Sequence, residues 1–185
     1  LDHSGWLPAL VKHGFRGPIF TNTATRDLCA VLLADSAHLQ EEDARRANRY
    51  GSASHTPALP LYTKAEAARA VQRISALPSG RGAEVGRVQI GFTPVGHLLG
   101  ASAVTLTIGR ERIVYSGDLG RGNDLLLPAP QAVRAADVLL VEATYGNRLH
   151  PREDVQVKLG EIIRRTIARG GSVLLPSFAV GRAQA

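Results

Sequence analysis

The chain has 185 residues, and its 22 Lys and Arg against 16 Asp and Glu give a formal net charge of +6 with histidine neutral. With 44% hydrophobic and 21% charged residues, the composition excludes a collagen, a low-complexity chain and a largely disordered chain. The single cysteine, Cys29, excludes an internal disulfide framework and is typical of a reducing compartment. No run approaches about 18 consecutive apolar residues, so no membrane-spanning segment is predicted.

The basic residues and the two ends carry further information. Of the 22 basic residues 19 are Arg, whose forked guanidinium suits phosphate, although a GC-rich genome also favours Arg. The charge therefore favours nucleic acid only modestly as a partner. The chain contains no methionine and ends on residues 182–185 directly after a glycine, so we expect it to be part of a longer protein.

The first half of the chain predicts a strand and two helices. Residues 18–20 form a short apolar strand after a glycine turn, and a long helix is predicted over about 25–48. Thr63 and Glu66 have the spacing of a capping box, which predicts a second helix from there to about residue 76. The apolar residues near helical spacing in the first helix are Leu28, Val31, Leu32 and Leu39. Cys29 lies on that face, so we expect it in the core and not as a nucleophile.

The second half changes to strands after a turn cluster at 78–86. Apolar strands are predicted at 88–92, 103–108, 112–115 and 137–142, and Gly109-Arg110 predicts a hairpin between the second and third of these. An amphipathic helix is predicted at 152–169, followed by a strand at 172–176 and a helix from Val180. The order is that of a mixed α/β protein, in which polar residues at strand ends build sites.

Four segments place a His, Asp or Glu among small residues, mostly where an apolar strand ends. They are Leu-Asp-His-Ser-Gly at 1–5, Gly-His-Leu-Leu-Gly-Ala-Ser at 96–102, Tyr-Ser-Gly-Asp-Leu-Gly at 115–120 and Val-Glu-Ala-Thr-Tyr-Gly at 141–146. Together Asp2, His3, His97 and Asp118 form a nitrogen-and-oxygen ligand set of the kind that zinc or manganese binds. A cation held there would lower the pKa of a bound water toward neutrality.

Each segment also has a simpler interpretation, which the residues alone leave open. An Asp-His pair is often surface sequence, Gly-His-x-x-Gly and Ser-Gly-Asp are common turns, and Glu142 can pair with Arg148. The remaining histidines at 13, 38 and 55 have no partner at ligand spacing, which predicts exposed helix or loop positions. His150 is ambiguous, because it lies in a predicted loop next to the fourth segment.

In this order, the segments resemble the metallo-β-lactamase superfamily, and within it the β-CASP branch of RNA-processing nucleases. That branch includes ribonuclease J and the endonuclease subunit of the mRNA 3′-end cleavage factor. Residues 1–5 match the second half of the signature His-x-His-x-Asp-His, 93–100 resemble the next histidine motif, and 115–118 resemble the aspartate motif. Residues 142–150 and 176–184 are similar to two segments that separate the branch from simple lactamases.

The chain departs from the family pattern in three places. The two leading histidines of the first signature are absent, and so are the histidines that follow the inserted domain. Ala143 stands where the family often has Ser. As it stands, the chain retains only part of the family's metal ligands.

The resemblance implies a fold and a role for each residue. The fold would be an α/β, partial αββα sandwich over residues 1–175, with 176–185 entering the β-CASP insertion. Two divalent ions are implied, zinc in first place and manganese in second. Asp2 and His3 would bind one ion and Asp2 would also orient the attacking water, His97 would complete the other ion's shell, and Asp118 would bridge both. Glu142 would orient a later histidine that protonates the leaving oxygen, and Arg148 would contact substrate phosphate.

The implied function is hydrolysis of RNA phosphodiester bonds by a metal-activated hydroxide, in the cytoplasm and without a membrane partner. The resemblance leaves open a monomer or a homodimer, endonuclease or exonuclease action, sequence preference, activity on DNA and the identity of the metal. Two alternatives remain: a catalytically silent homologue that binds RNA or a protein partner, and a small-molecule hydrolase acting on a thioester or lactam. The retained ligands argue against the first, and the segments at 142–150 and 181–184 argue against the second.

Overall fold

The computed structural model describes residues 1–78, 80–149 and 153–184. The chain divides into two compact units, Leu1–Leu140 and Val141–Ala185. The first unit contains a two-stranded and a five-stranded sheet together with three helices, and the second contains one helix among the described residues. The predicted α/β class is confirmed. The predicted domain boundary near residue 175 stays a prediction.

Helices α1 and α2 build one side of the first unit. Helix α1 spans Leu7–Lys12, strand β1 spans Ile19–Asn22 and helix α2 spans Thr23–Tyr50. The buried residues of α2 are Cys29, Leu33 and Ala37, spaced four apart, and they form a core cluster with Ala9, Tyr62 and Ala67. The predicted apolar stripe was wrong for Val31 and Leu39, which are 66% and 55% exposed.

Cys29 lies in the core, as predicted, at 3% exposure. Burial raises the pKa of its thiol above the ordinary value, against smaller opposing effects from the Ser4 side chain and the amino terminus. A thiol with a raised pKa carries little thiolate at neutral pH and is a poor nucleophile. Cys29 is therefore a small apolar core residue.

Helix α3 begins at the predicted capping box but ends early. It spans Lys64–Val71, and Thr63 accepts from the Glu66 N–H while Glu66 accepts from the Thr63 N–H. The predicted extension to residue 76 was wrong, because Ile74–Leu77 forms strand β2 and pairs in parallel with β1. A ladder partner 55 residues earlier, with Ile19 opposite Ile74, outweighs the local helical pattern.

The Glu66 carboxylate joins α3 to α1. Its side chain is 15% exposed and lies 3.5 Å from the Lys12 ammonium and 3.8 Å from the Arg69 guanidinium. The Thr63 N–H is the main cause of a pKa below the ordinary range for this carboxyl, with Lys12 adding to it against the effect of burial. The ionised form is thus bound more tightly in the folded state than in the unfolded state.

We expect Glu66→Ala to lower the free energy of unfolding at pH 7 by about 1 kcal/mol, as loss of a helix cap does. Because the folded pKa is depressed, this contribution is complete above the unfolded pKa and is lost as the pH falls through the folded pKa. Urea unfolding at pH 7 and at pH 3 should therefore show the variant and the wild type converging in acid. Glu84→Ala, an exposed position on the strand Ala83–Val85, is the control, and an equal loss there would contradict the prediction.

The five-stranded sheet has the order β3-β4-β5-β6-β7. The strands are Ala83–Val85, Val88–Pro94, Ser102–Ile108, Glu111–Tyr115 and Val138–Leu140. The first four are antiparallel neighbours, and β7 is parallel to β6. The hairpin at Gly109-Arg110 is confirmed. The predicted turn cluster at 78–86 also contains β3, which pairs with β4 across a tight turn.

Helix α4 is the described helix of the second unit and spans Val155–Ala168. Asp154 caps it by accepting from the Gln156 and Val157 N–H groups. The predicted strand at 172–176 and the helix from Val180 were both wrong, since the described residues of this unit form no strand and only turns follow residue 178. A strand needs a neighbouring strand for its hydrogen bonds, and the described part of this unit offers none. None of the described helices is long and apolar enough to cross a bilayer.

Candidate metal centre

Asp2 and His3 lie in the turn that precedes α1. The Ser4 N–H donates to the Leu1 carbonyl at 3.2 Å, and the Leu7 N–H donates to the Ser4 carbonyl at 3.0 Å. Three of the six residues of α1 are buried, namely Pro8, Ala9 and Val11. Because Ala9 belongs to the core cluster of α2 and α3, the position of this turn is set by apolar packing.

His97 lies in the loop between β4 and β5. The loop is closed at its base, because the Val95 N–H donates to the Ala101 carbonyl at 3.0 Å. The Ala101 N–H in turn donates to the Leu98 carbonyl at 2.9 Å. Val95 is 2% exposed and packs with Ala103 and Val114, so the base of the loop is held in a small second core. The His97 side chain itself is 43% exposed.

Asp118 lies three residues beyond β6, in a segment that is joined to the His97 loop. Ser116 and Gly117 are buried, and the Gly120 N–H donates to the Val95 carbonyl at 2.8 Å. A side chain on Gly120 would overlap the Gly96 carbonyl, so the two loops cross as closely as backbone allows. The small residues after each strand thus serve to bring His97 and Asp118 to the same point.

Three of the four predicted ligand side chains, Asp2, His3 and Asp118, converge, and His97 adjoins this cluster through Asp118. The Asp118 Oδ2 atom lies 3.4 Å from His3 Nε2 and 3.7 Å from His97 Nε2. His3 Nε2 lies 3.5 Å from Asp2 Oδ2, and one ligand atom each of Asp2, His3 and Asp118 lie within 4.8 Å of one another. The cluster faces solvent, since its side chains range from 38% exposed at Asp118 to 84% at Asp2.

These distances fit the donor set of a small divalent cation. Nitrogen and oxygen ligands about 2.0–2.2 Å from a tetrahedral zinc lie about 3.3–3.6 Å from one another, which is close to the spacing around Asp118. The carboxylates of Asp2 and Asp118 would balance the charge of one dication, and His3 supplies a borderline nitrogen ligand beside them. The arrangement can therefore hold a metal ion with a face open to solvent.

Asp2 is available as an anion at neutral pH. Burial acts to raise the pKa of its carboxyl, but the hydrogen bond from its own backbone N–H and the neighbouring His3 act in the opposite direction. The amino terminus adds to the lowering, and the net pKa lies below the ordinary value. A carboxylate that stays ionised is ready to bind a cation without first losing a proton.

The other predicted site residues belong to the second unit. Glu142 follows β7 by two residues, and its Oε2 accepts from the Thr144 N–H at 3.2 Å. Arg148 is exposed, and its backbone N–H donates to the Tyr145 carbonyl at 3.0 Å. Their roles stay predictions. His150 lies outside the described residues.

The three histidines without ligand spacing have mixed outcomes. His13 and His55 are exposed, as predicted. His38 is half-buried on α2, next to the buried Ala37, and the prediction of an exposed position was wrong. The helix places residue 38 toward the side of the core cluster, which the spacing of the other apolar residues did not indicate.

The residues outside the His97 loop that bind its backbone were not predicted from the sequence. Asn22 and Thr25, at the start of α2, donate hydrogen bonds to the Gly100 carbonyl. An asparagine three residues before a threonine at a helix start does indicate an N-cap. Nothing in the sequence, however, indicates the contact with a carbonyl 78 residues away.

Similar proteins match the chain along its whole length. It is 34% identical over 185 residues to ribonuclease TTHA0252 of Thermus thermophilus and 34% identical over 192 residues to the transcription termination factor FttA of Pyrococcus abyssi. It is also 34% identical over 190 residues to the endoribonuclease ysh-1 of Neurospora crassa. Each match covers the entire chain but only 39%, 28% and 21% of the respective relative, so the chain spans well under half of their length. No protein-family model matches the chain.

These similarities agree with the family that the sequence motifs indicated. The relatives include a ribonuclease and an endoribonuclease, as the resemblance to the β-CASP branch of the metallo-β-lactamase superfamily implies, and the αββα sandwich of that branch stays the predicted architecture. The loops that carry His97 and Asp118 lie where two of the motifs were recognised in the sequence.

Proposed function

We propose that this protein is a metal-dependent nuclease that hydrolyses RNA phosphodiester bonds. The observation that carries the proposal is the convergence of His3 and His97 on the Asp118 carboxylate, within 3.4 and 3.7 Å. The names of two relatives, a ribonuclease and an endoribonuclease, support the choice of RNA as substrate.

Each cluster residue has a task in this proposal. Asp2 and His3 would hold one divalent ion and His97 would complete the shell of a second, and Asp118, whose carboxylate is within 4 Å of both imidazoles, would serve both. When bound, such ions would supply a water of lowered pKa and would neutralise charge on the phosphate. Asp2, the most exposed of the four at 84%, orients the attacking water. Zinc fits the mixed nitrogen and oxygen donors, with manganese as the alternative.

Glu142 and Arg148 complete the proposed machinery. Glu142 would orient the later histidine of the family pattern, which protonates the leaving oxygen. The exposed Arg148 contacts a substrate phosphate, for which its guanidinium is suited. Both assignments rest on the similarity of residues 142–150 to the family segment.

The composition supports the proposed setting. The excess of six positive charges, mostly from Arg, favours a polyanionic substrate such as RNA. The free and buried Cys29 is consistent with work in the reducing cytoplasm. We propose no membrane partner. A measurement of the molecular mass in solution distinguishes a monomer from a homodimer.

The proposal is tested on the full-length protein by measuring bound metal and the cleavage of single-stranded RNA with and without a chelator. We expect bound divalent metal and cleavage that the chelator abolishes and added zinc or manganese restores. RNA binding without bound metal would identify a silent homologue instead. Hydrolysis of thioesters or lactams without RNA cleavage would identify a small-molecule hydrolase.

A further inference from the structure

The carbonyl of Gly100 accepts an unusual number of hydrogen bonds. Asn22 Nδ2 donates to it at 2.6 Å, Thr25 Oγ1 at 3.0 Å and Ser102 Oγ at 3.1 Å. Asn22 Nδ2 also contacts Ser102 Oγ at 3.1 Å, and all of these groups are partly buried. Two of the three donors belong to the start of α2, which is remote in sequence from the loop.

Gly100 is shaped to this contact. Its φ of +85° lies in the region that favours glycine, and an added Cβ would lie 2.6 Å from both the backbone N and Oγ1 of Thr25. The same Cβ would lie 2.9 Å from Asn22 Oδ1. The backbone of the loop therefore touches the end of the helix directly, without room for a side chain.

The contact acts on His97 through a short, closed segment. Gly100 is three residues from His97, and the loop is shut by the pair formed by the Val95 N–H and the Ala101 carbonyl. Fixing Gly100 against α2 fixes the far side of this loop, while the hydrogen bond from Gly120 fixes the near side. The loop that carries the His97 imidazole is thus fixed on both sides by hydrogen bonds to its backbone.

We propose that Asn22 and Thr25 are positioning residues of the metal centre, which hold the His97 imidazole in place by binding the Gly100 carbonyl. The inference rests on the proposed metal-dependent function. Outer partners that orient a ligand typically change metal affinity by about 10–100-fold when they are removed. Neither residue lies among the predicted ligands, so their effect on the metal is exerted through the loop.

Asn22 has two tasks that one substitution separates. Its Oδ1 accepts from the Thr25 N–H at 2.9 Å and caps α2, while its Nδ2 binds Gly100. Asn22→Asp keeps a good capping oxygen and adds a favourable charge at the helix N-terminus. It replaces the donor to Gly100 with an oxygen that repels the carbonyl. Thr25→Val removes the second donor and retains the side-chain shape.

The test uses the full-length protein carrying Asn22→Asp and Thr25→Val together, titrated with Co²⁺ as a probe for zinc. We expect Co²⁺ affinity to fall at least about tenfold, and the visible absorption of the bound ion to change because one ligand is displaced. The control is Asp154→Ala, which removes the cap of α4 in the second unit and should lower the stability of that helix while leaving Co²⁺ affinity and spectrum unchanged.

The outcomes separate this inference from the proposed function. A double variant that binds Co²⁺ with wild-type affinity and an unchanged spectrum overturns the positioning role, and so does an equal loss of affinity in the Asp154→Ala control. If the wild-type protein binds no Co²⁺, the proposed function fails, and the inference that rests on it fails with it. Should the double variant melt early, Asn22→Asp alone, which keeps the cap, has to show the same spectral change.

Discussion

Replacing Asp118 with asparagine is expected to abolish RNA cleavage and to leave the protein folded. The Asp118 carboxylate lies within 4 Å of both imidazoles of the cluster, and a neutral amide there would remove the negative charge that the proposed metal centre needs. Metal ions contribute several kcal/mol to hydrolysis, and every 1.36 kcal/mol is tenfold in rate, so the loss should be at least about a thousandfold. Single-turnover cleavage of a labelled single-stranded RNA measures the rate, and metal analysis of the purified variant measures occupancy.

A matched substitution at another aspartate tests whether the loss of cleavage comes from the loss of any negative charge. Asp27 is an exposed carboxylate on α2 that pairs with the adjacent Arg26 at 2.8 Å, and Asp27→Asn should cleave as the wild type does. Circular dichroism and thermal melting of the Asp118→Asn variant should match those of the metal-free wild type. Cleavage at wild-type rates by this variant would remove Asp118 from the site.

The second large effect is expected in the core, where Leu33→Ala should destabilise the protein by about 2–5 kcal/mol. Leu33 is fully buried between Cys29 and Ala37 in the cluster that joins α2 to Ala9 of α1 and Ala67 of α3. Truncation removes the transfer free energy of the side chain and leaves a cavity that the surrounding helices fill only in part. Denaturant unfolding followed by circular dichroism measures the difference.

Leu39→Ala provides the same chemical change on the same helix at an exposed position. Leu39 is 55% exposed, so its truncation should change the free energy of unfolding by no more than about 0.5 kcal/mol. Equal losses at both positions would show that the core cluster does not exist as described. Because α1 is held by this cluster and carries the Asp2–His3 turn, Leu33→Ala should also weaken metal binding more than Leu39→Ala does.

Much of the local structure could be predicted because it depends on short-range patterns. The capping box at Thr63 and Glu66, the hairpin at Gly109-Arg110 and the alternating strands around it each need only a few neighbouring residues. The errors occurred where a distant partner decides. Residues 74–77 became a strand because β1 lies beside them, and residues 172–176 did not, since the described part of their unit offers no partner.

The candidate site divides in the same way. The residue types at 2, 3, 97 and 118, and their position among small residues, could be chosen from the sequence because metal chemistry and family motifs restrict them. Their grouping was also expected from the sequence, but the contacts that produce it were not, because they depend on Gly120 crossing Gly96 and on the packing of α1 against the other helices. The hydrogen bond from Asn22 to the Gly100 carbonyl likewise depends on tertiary structure.

By itself, then, the sequence determined the α/β class, the family resemblance, the candidate ligands and the caps of individual helices, all of which depend on residue type and short spacing. Only the tertiary structure decided which face of α2 is buried, where α3 ends and β2 begins, and how the start of α2 binds the His97 loop. The physical reason is that these features arise from close contacts between residues roughly 20 to 80 positions apart, and such contacts leave no periodic trace in the chain.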